Sequence, residues 1–290
     1  MIKSDSSKGH SIALTGALVL SLDTLFLRLV GSEPVVVAFW RGVLMFLAGG
    51  AISLVIRAMS RNRMMKYGFK GNIVALFYGA ASIFFTLSAM STSIANLLIV
   101  LSTTPLWATI ASWLFLNEGI SLKTLISCFV AFLGMLVIFS GEMAMLNSGD
   151  MFALIAALCM AGAFTLSRIC SDDLLLAPCV GGGMSAVILL FFVTPNDFLK
   201  LSNPIFMVIE GGAIMPIALG CLAMAPKFIR ADKVSLFLLL ETVLGPLWAY
   251  LFLDEPVSSK TILGGFMVMA ALLINMARMP RSLSKIRSSG

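Results

Sequence analysis

Apolar residues fall along this chain in long blocks, separated by short polar stretches. Each block is apolar all round and about 20 residues long, the length a helix needs to cross roughly 30 Å of hydrocarbon. The pattern predicts ten helices, at 11–30, 34–56, 72–90, 94–116, 121–139, 150–168, 176–194, 204–224, 234–253 and 258–278. The blocks are too long for buried strands. The short alternating strands of a membrane barrel are absent. The expected fold class is therefore an all-α membrane protein of ten transmembrane helices. The connections are too short to hold a soluble domain.

Composition agrees with this pattern. The 290 residues are 59% hydrophobic and 12% charged, whereas a soluble domain carries about 25% charged residues. Mean hydropathy is +1.02. A net charge of +6 invites a nucleic-acid reading, but its distribution excludes one. Lys3 and Lys8 precede helix 1, and Arg57, Arg61, Arg63, Lys66 and Lys70 lie between helices 2 and 3. Lys123, Arg168, Lys227, Arg230 and Lys233 fall in the next alternate connections, and Arg278, Arg281, Lys285 and Arg287 follow helix 10. Those 16 of the 20 basic residues share one side, which makes both termini cytoplasmic by the positive-inside rule. The polar first ten residues and the full-length helix 1 argue against a cleavable signal peptide. The five cysteines are scattered without metal spacing, so no metal or other cofactor is expected.

An internal echo divides the chain. "WLFLNEGISLKT" (113–124) returns as "YLFLDEPVSSKT" (250–261), 137 positions later. Nine of 26 aligned positions are identical, among them Glu118 with Glu255, Ser121 with Ser258, Lys123 with Lys260 and Thr124 with Thr261. Two five-helix repeats follow, at 1–141 and 142–278, with a basic cytoplasmic tail at 279–290. Because five is odd, the second repeat enters the membrane from the opposite side. Inverted repeats let one half rock against the other around a central site.

This chain resembles the EamA-type branch of the drug/metabolite transporter superfamily. The residues that carry the likeness are the helix-2 arginine of "AFWRG" (Arg41), "TTPLWATIASWLFLNEGIS" (103–121) and "LLLETVLGPLWAYLFLDEP" (238–256). The resemblance implies a secondary active transporter in the bacterial inner membrane, and most commonly an exporter of amino acids or related metabolites. Uptake or exchange of a metabolite or cofactor precursor is the alternative, and a non-transporting membrane scaffold a remote one. The implied partners are a small-molecule substrate, the lipid bilayer and a candidate coupling proton, with no nucleic acid. No enzymatic activity is expected. A lipid-modifying membrane enzyme would need convergent catalytic groups, and the chain has one histidine and a single Asp-Asp pair, Asp172-Asp173. One departure stands out. Pro105 lies thirteen residues before Glu118, but Thr242 occupies the matching place before Glu255, with Pro246 four residues on. That spacing predicts a break in helix 9 deeper along the chain than repeat symmetry requires.

The candidate chemistry sits at mid-membrane. Pro105 and Pro246 are the expected helix breaks, since proline removes a backbone donor. Broken helices at the midplane point to a transporter's binding site. Thr103, Thr104 and Thr242 beside them are substrate-binding candidates. So are Trp107 and Trp248, as aromatic cavity walls. Ionisable residues inside helices are costly and usually find interior partners. Asp23 and Arg41 are read as an outer-half ion pair in a coupling or gating role, and Glu210 as a separate coupling or gating candidate. Glu241 is the leading candidate to bind a substrate amine or carry the coupling proton. Glu118 and Glu255 are expected to cap the following helices or to anchor their loops. Ala153, Ala157 and Ala161, with Gly181-Gly182-Gly183, read as close-packing faces.

Overall fold

A computed structural model describes residues 2–59, 68–92, 94–119, 122–138, 148–194, 198, 200–253 and 259–276. Arg61, Arg63, Lys66, Ser121, Glu255, Ser258, the junction at 141/142 and the tail at 279–290 lie outside the described residues. Among the described residues the chain is all helical. The helices of the first repeat are α1 (Ile2–Leu20), α2 (Asp23–Val30), α3 (Pro34–Met59), α4 (Phe69–Ser91), α5 (Ile94–Leu101), α6 (Thr104–Leu116) and α7 (Leu122–Ile138). The second repeat holds α8 (Ser148–Ile169), α9 (Ala177–Leu189), α10 (Pro204–Ile209), α11 (Met215–Met224), α12 (Ala231–Phe237), α13 (Leu239–Leu253) and α14 (Ser259–Met276). Seven helical stretches of the described residues are long and apolar enough to cross a membrane, and three shorter apolar helices accompany them.

The helices pack across the repeats. α4 lies on α8 and α9, α3 on α9, α1 on α11, α6 on α12, and α7 on α14. Together with the packing of α3 on the Glu210–Ile214 turn, exchanging each membrane stretch with its counterpart in the other repeat leaves this set of partners the same. Glycine permits the closest crossings. A Cβ on Gly181 of α9 would strike the Ala75 carbonyl of α4. One on Gly42 of α3 would stand 2.5 Å from the Gly182 carbonyl. Large side chains such as Phe46, Phe115, Phe129, Phe252 and Phe266 face outward, as expected of a belt in contact with lipid.

Contacts at the helix ends fix their directions. The start of α4 meets the loop after α8, where Gly68 and Gly71 N–H donate to Asp172 Oδ2 at 2.9 Å each. Its far end meets the start of α8, where Thr92 Oγ1 lies 2.6 Å from Asp150 Oδ1. α4 and α8 are therefore antiparallel. α1 starts beside Phe228 and Ile229, on the Asp172 face. α2 ends in left-handed Gly31 (φ 57°), whose carbonyl accepts from Ser202 Oγ at 2.7 Å on the opposite face. The first helices of the two repeats, α1–α2 and α8, thus run in opposite directions.

Four membrane-length stretches are interrupted. The first gives way at Ser21-Leu22, between α1 and α2, and the second at Ser102-Thr103, between α5 and α6. The third swells into a π-turn at Glu210–Ile214, beginning at Glu210-Gly211-Gly212. The fourth breaks at Leu238, between α12 and α13, where Leu238 N–H bonds back to Ser235 O at 3.2 Å. This last position corrects the expectation from Pro246, which lies inside α13. Leu238 is the 137-residue counterpart of Leu101, so the break keeps repeat symmetry although its sequence holds no proline. Side-chain hydroxyls take up the freed carbonyls. Ser102 Oγ donates to Ile99 O at 2.6 Å, Thr103 Oγ1 to Val100 O at 2.6 Å, Thr104 Oγ1 to Leu101 O at 2.6 Å and Thr242 Oγ1 to Leu239 O at 2.7 Å. Irregular backbone is tolerated inside a membrane where such groups satisfy it.

Candidate functional site

Arg41 comes from about two turns into α3, where a long side chain can reach across the bundle. Its Nη2 lies 2.7 Å from Asp23 Oδ2, and its Nε forms an ion pair with Glu210 Oε1 at 3.1 Å, without hydrogen-bond alignment. Nη1 reaches Thr86 Oγ1 at 3.4 Å and Nη2 the Met215 sulfur at 2.9 Å. The guanidinium also stands 5.4 Å from the centre of the Phe85 ring. Asp23, Arg41 and Glu210 are all fully buried. The chain places Asp23 at the first residue of α2 and Glu210 at the first of the π-turn, so two of the interruptions supply the carboxylates.

Glu241 stands apart from this triad. It sits just after the Leu238 break, and its Oε1 accepts from Thr24 Oγ1 at 2.8 Å. The charged groups that face it are Asp23 and Arg41. Thr104 is its counterpart in the first repeat, buried and bonded to its own helix. Three carboxylates and one guanidinium thus share one buried region. Isolated charges in such surroundings are expensive, and pairing offsets the cost only where it is complete. Here Asp23 Oδ1 is buried with no hydrogen-bond partner.

A small enclosed cavity of about 50 Å³ lies against these groups, lined by Asp23, Arg41, Tyr78, Phe85, Glu241 and Thr242 among mostly aliphatic side chains. It has room for a few waters. Ser102 and Leu238 also line it, so breaks from both repeats reach its wall. A second cavity of about 150 Å³ lies toward Gly31 and Met90, and shares Phe85 and Leu98 with the first.

The sequence candidates separate into two groups. Asp23, Arg41, Glu241 and Thr242 line the cavity, and Glu210 stands behind Arg41. Thr104 and Pro105 are buried at the start of α6 but are not in its wall. Trp107 and Thr103 lie on an apolar surface groove instead. Trp107 Nε1 donates to Thr103 Oγ1 at 3.0 Å, and Trp248 Nε1 to Ser21 Oγ at 2.9 Å. Each tryptophan therefore bonds to an interruption and not to the cavity. Thr24, Tyr78, Phe85, Thr86 and Met215 escaped the sequence reading, because uncharged helix residues carry no signal until topology gathers them.

One face is tied by charge. Asn117 ends α6 in the left-handed conformation (φ 51°), which asparagine tolerates, and turns the chain at Glu118. Glu118 Oε1 lies 3.4 Å from Arg168 Nε, and Oε2 lies 3.5 Å from Arg230 Nε. Arg230 also pairs with Asp232 at 3.1 Å and donates to Gly119 O at 3.0 Å. Arg168 donates to Pro226 O at 2.9 Å. Glu118 thus ties its loop across the repeats, to Arg168 and Arg230 of the second. Beside this network, Asp172 receives the first amides of α4 and its backbone carbonyl receives Lys227 Nζ. The Gly68 N–H, then that of Gly71, holds the Asp172 carboxyl below the usual carboxylate range. No group of three or more metal-binding side chains occurs among the described residues.

The model of the EamA-like transporter family matches the chain twice, over residues 7–140 and 147–277. In three dimensions, 29 solved chains match it. One of them, a crystal structure of a protein with 15% identity, superposes with a TM-score of 0.76 over 93% of this chain and 97% of its own. At that identity the likeness speaks for the fold. No curated protein matches the chain.

Proposed function

Because the chain belongs to the EamA-like transporter family, we propose that it is a secondary carrier that moves a small metabolite by alternating access. Membership makes it a multi-pass membrane transporter, with a small-molecule substrate and the bilayer as its partners. The carrying observation is that interruptions from both repeats meet at a buried cavity beside Glu241, Asp23 and Arg41. Broken helices that converge on ionisable groups at mid-depth are how carriers build a site that two halves can expose in turn.

The finer reading follows the same lines. The chain spans the membrane ten times as two inverted five-helix repeats, 1–141 and 142–278. The opposite directions of α1–α2 and α8 support the inversion, and the basic side supports cytoplasmic termini. The protein resides in the inner membrane. The Glu118 network lies on the cytoplasmic side and the second cavity lies outward of the first. The conformation described is then closed inward, with a chamber too small for a metabolite. Glu241 binds substrate or a coupling proton, Asp23, Arg41 and Glu210 support the gate, and Thr242 lines the chamber. Thr103, Thr104, Pro105, Trp107, Pro246 and Trp248 act at one remove, through the helix breaks. Export of amino acids or related metabolites is the leading role, with uptake or exchange as its alternative.

Counterflow in proteoliposomes tests this. Vesicles preloaded with each member of a panel of amino acids, amines and small metabolites should accumulate the labelled compound when it is the substrate. Glu241→Gln should lower that flux at least tenfold with the protein still folded. A panel without saturable counterflow by the wild type would overturn the carrier reading.

A further inference from the structure

The polar groups of the chamber are lopsided. Among the described side chains, Asp23, Glu210 and Glu241 bring three carboxylates, and Arg41 alone brings a cation. The other elements do not redress the balance. α4 contributes the Tyr78 hydroxyl, while α5, α8 and α11 contribute only uncharged side chains to the lining. The guanidinium is already engaged on every side, by Asp23, Glu210, Thr86, Met215 and the face of Phe85. A ligand's carboxylate would have to compete there with Asp23 and Glu210, which already flank it. Acceptors, by contrast, are in surplus. Asp23 Oδ1 is buried without a hydrogen-bond partner, and among the described side chains Glu241 is held by one hydroxyl and no cation.

Resting on the carrier reading above, we infer that the chamber binds an organic amine lacking a carboxylate, and takes it in exchange for a proton. The ammonium sits between Glu241 and Asp23 Oδ1, and its apolar body lies among Leu20, Leu98 and Leu219. In the empty chamber, protons balance the surplus carboxylates, because uncompensated charge in an apolar cavity costs several kcal/mol. When the ammonium arrives, one carboxylic acid gives its proton to water and the charge in the chamber is conserved. An amino-acid zwitterion fits less well, since its carboxylate would have to displace Asp23 or Glu210 from Arg41.

Three matched probes decide the matter: 3-methylbutylamine, leucine and 4-methylpentanoate, which share one aliphatic body and differ in their charged groups. Binding to the purified wild type is measured by calorimetry in buffers of differing ionisation enthalpy, which counts the protons released. The amine should bind best and release about one proton. Its affinity should fall toward about tenfold per pH unit on acidification, the slope of one exchanged proton. Glu241→Gln and Asp23→Asn should each weaken amine binding at least tenfold. Leucine or 4-methylpentanoate binding as tightly as the amine would overturn the inference and leave the carrier reading standing. So would amine binding without proton release, or no amine binding at all. Amine binding with proton release but no counterflow would support the inference and sink the carrier reading.

Discussion

Glu118 Oε1, at the end of α6, lies 3.4 Å from Arg168 Nε, at the end of α8. The same carboxylate reaches Arg230 ahead of α12, so one residue of the first repeat holds two of the second. Each pair is partly exposed, and such bridges contribute about 0–1 kcal/mol apiece. On the carrier reading proposed above, they join the two parts that alternating access would separate. Glu118→Gln should therefore raise the accessibility of a cysteine placed at Thr242 to a reagent added from the Glu118 face, by roughly 3- to 10-fold for about 1 kcal/mol. Exchanging the charges, with Glu118→Arg and Arg168→Glu together, should restore protection in part. Labelling that is equal in all variants would show that the network does not close that face.

Among the described side chains Arg41 is the sole cation beside three buried carboxylates, which makes its removal costly. Arg41→Met should destabilise the protein by about 3–5 kcal/mol, because Asp23 and Glu210 lose their counter-charge. Adding Asp23→Asn to that variant should recover part of the loss. Thermal melting in detergent gives both values. Strict additivity of the two changes would refute the coupling between them.

Asp172 caps α4 from outside, since Gly68 offers the helix no side chain of its own. Asp172→Ala should cost about 0.5–2 kcal/mol, as for the loss of an N-terminal cap. Its carboxyl is held below its ordinary range, so its contribution is present above the unfolded carboxylate pKa. The contribution is lost as pH falls through the lower, folded value. The melting difference between wild type and Asp172→Ala should therefore shrink on acidification and stay constant at neutral pH and above. A difference that grew toward acid would refute the assignment.

Gly181 and Ala75 leave no space for a methyl group between α9 and α4. Gly181→Ala should lower stability by about 1–3 kcal/mol through overpacking, and Gly183→Ala should cost less, because the atom it would meet is the movable ring of Phe46. Melting temperatures of the two variants compare the costs directly. Equal losses would mean that the α4–α9 crossing yields more readily than the backbone contact implies.

Block length and the echo around Glu118 already implied helices in two repeats, because the hydrocarbon thickness and a repeated charged corner leave their marks locally. Arg41, Asp23, Glu210 and Glu241 stood out for the same reason: an ionisable residue inside an apolar block is conspicuous without any fold. The Leu238 break was hidden, because its cause is not proline. Pro246 drew the expectation instead, although a proline can lie within a helix whose neighbours tolerate the missing donor. Trp107 and Trp248 misled in another way. Depth alone suggested a cavity wall, but which way a ring points depends on the rotation of its helix, and both bond to Thr103 and Ser21 at the interruptions. The bridge from Glu118 to Arg168 and Arg230 was invisible for want of topology.

Phe85 and Leu98 belong to both internal spaces, the small one at Arg41 and the larger one toward Gly31. The wall between them includes an aromatic ring that rests on the guanidinium. On the carrier reading, a cargo leaving the smaller volume for the larger would meet that ring first, so the cation that holds the ring would also be its latch.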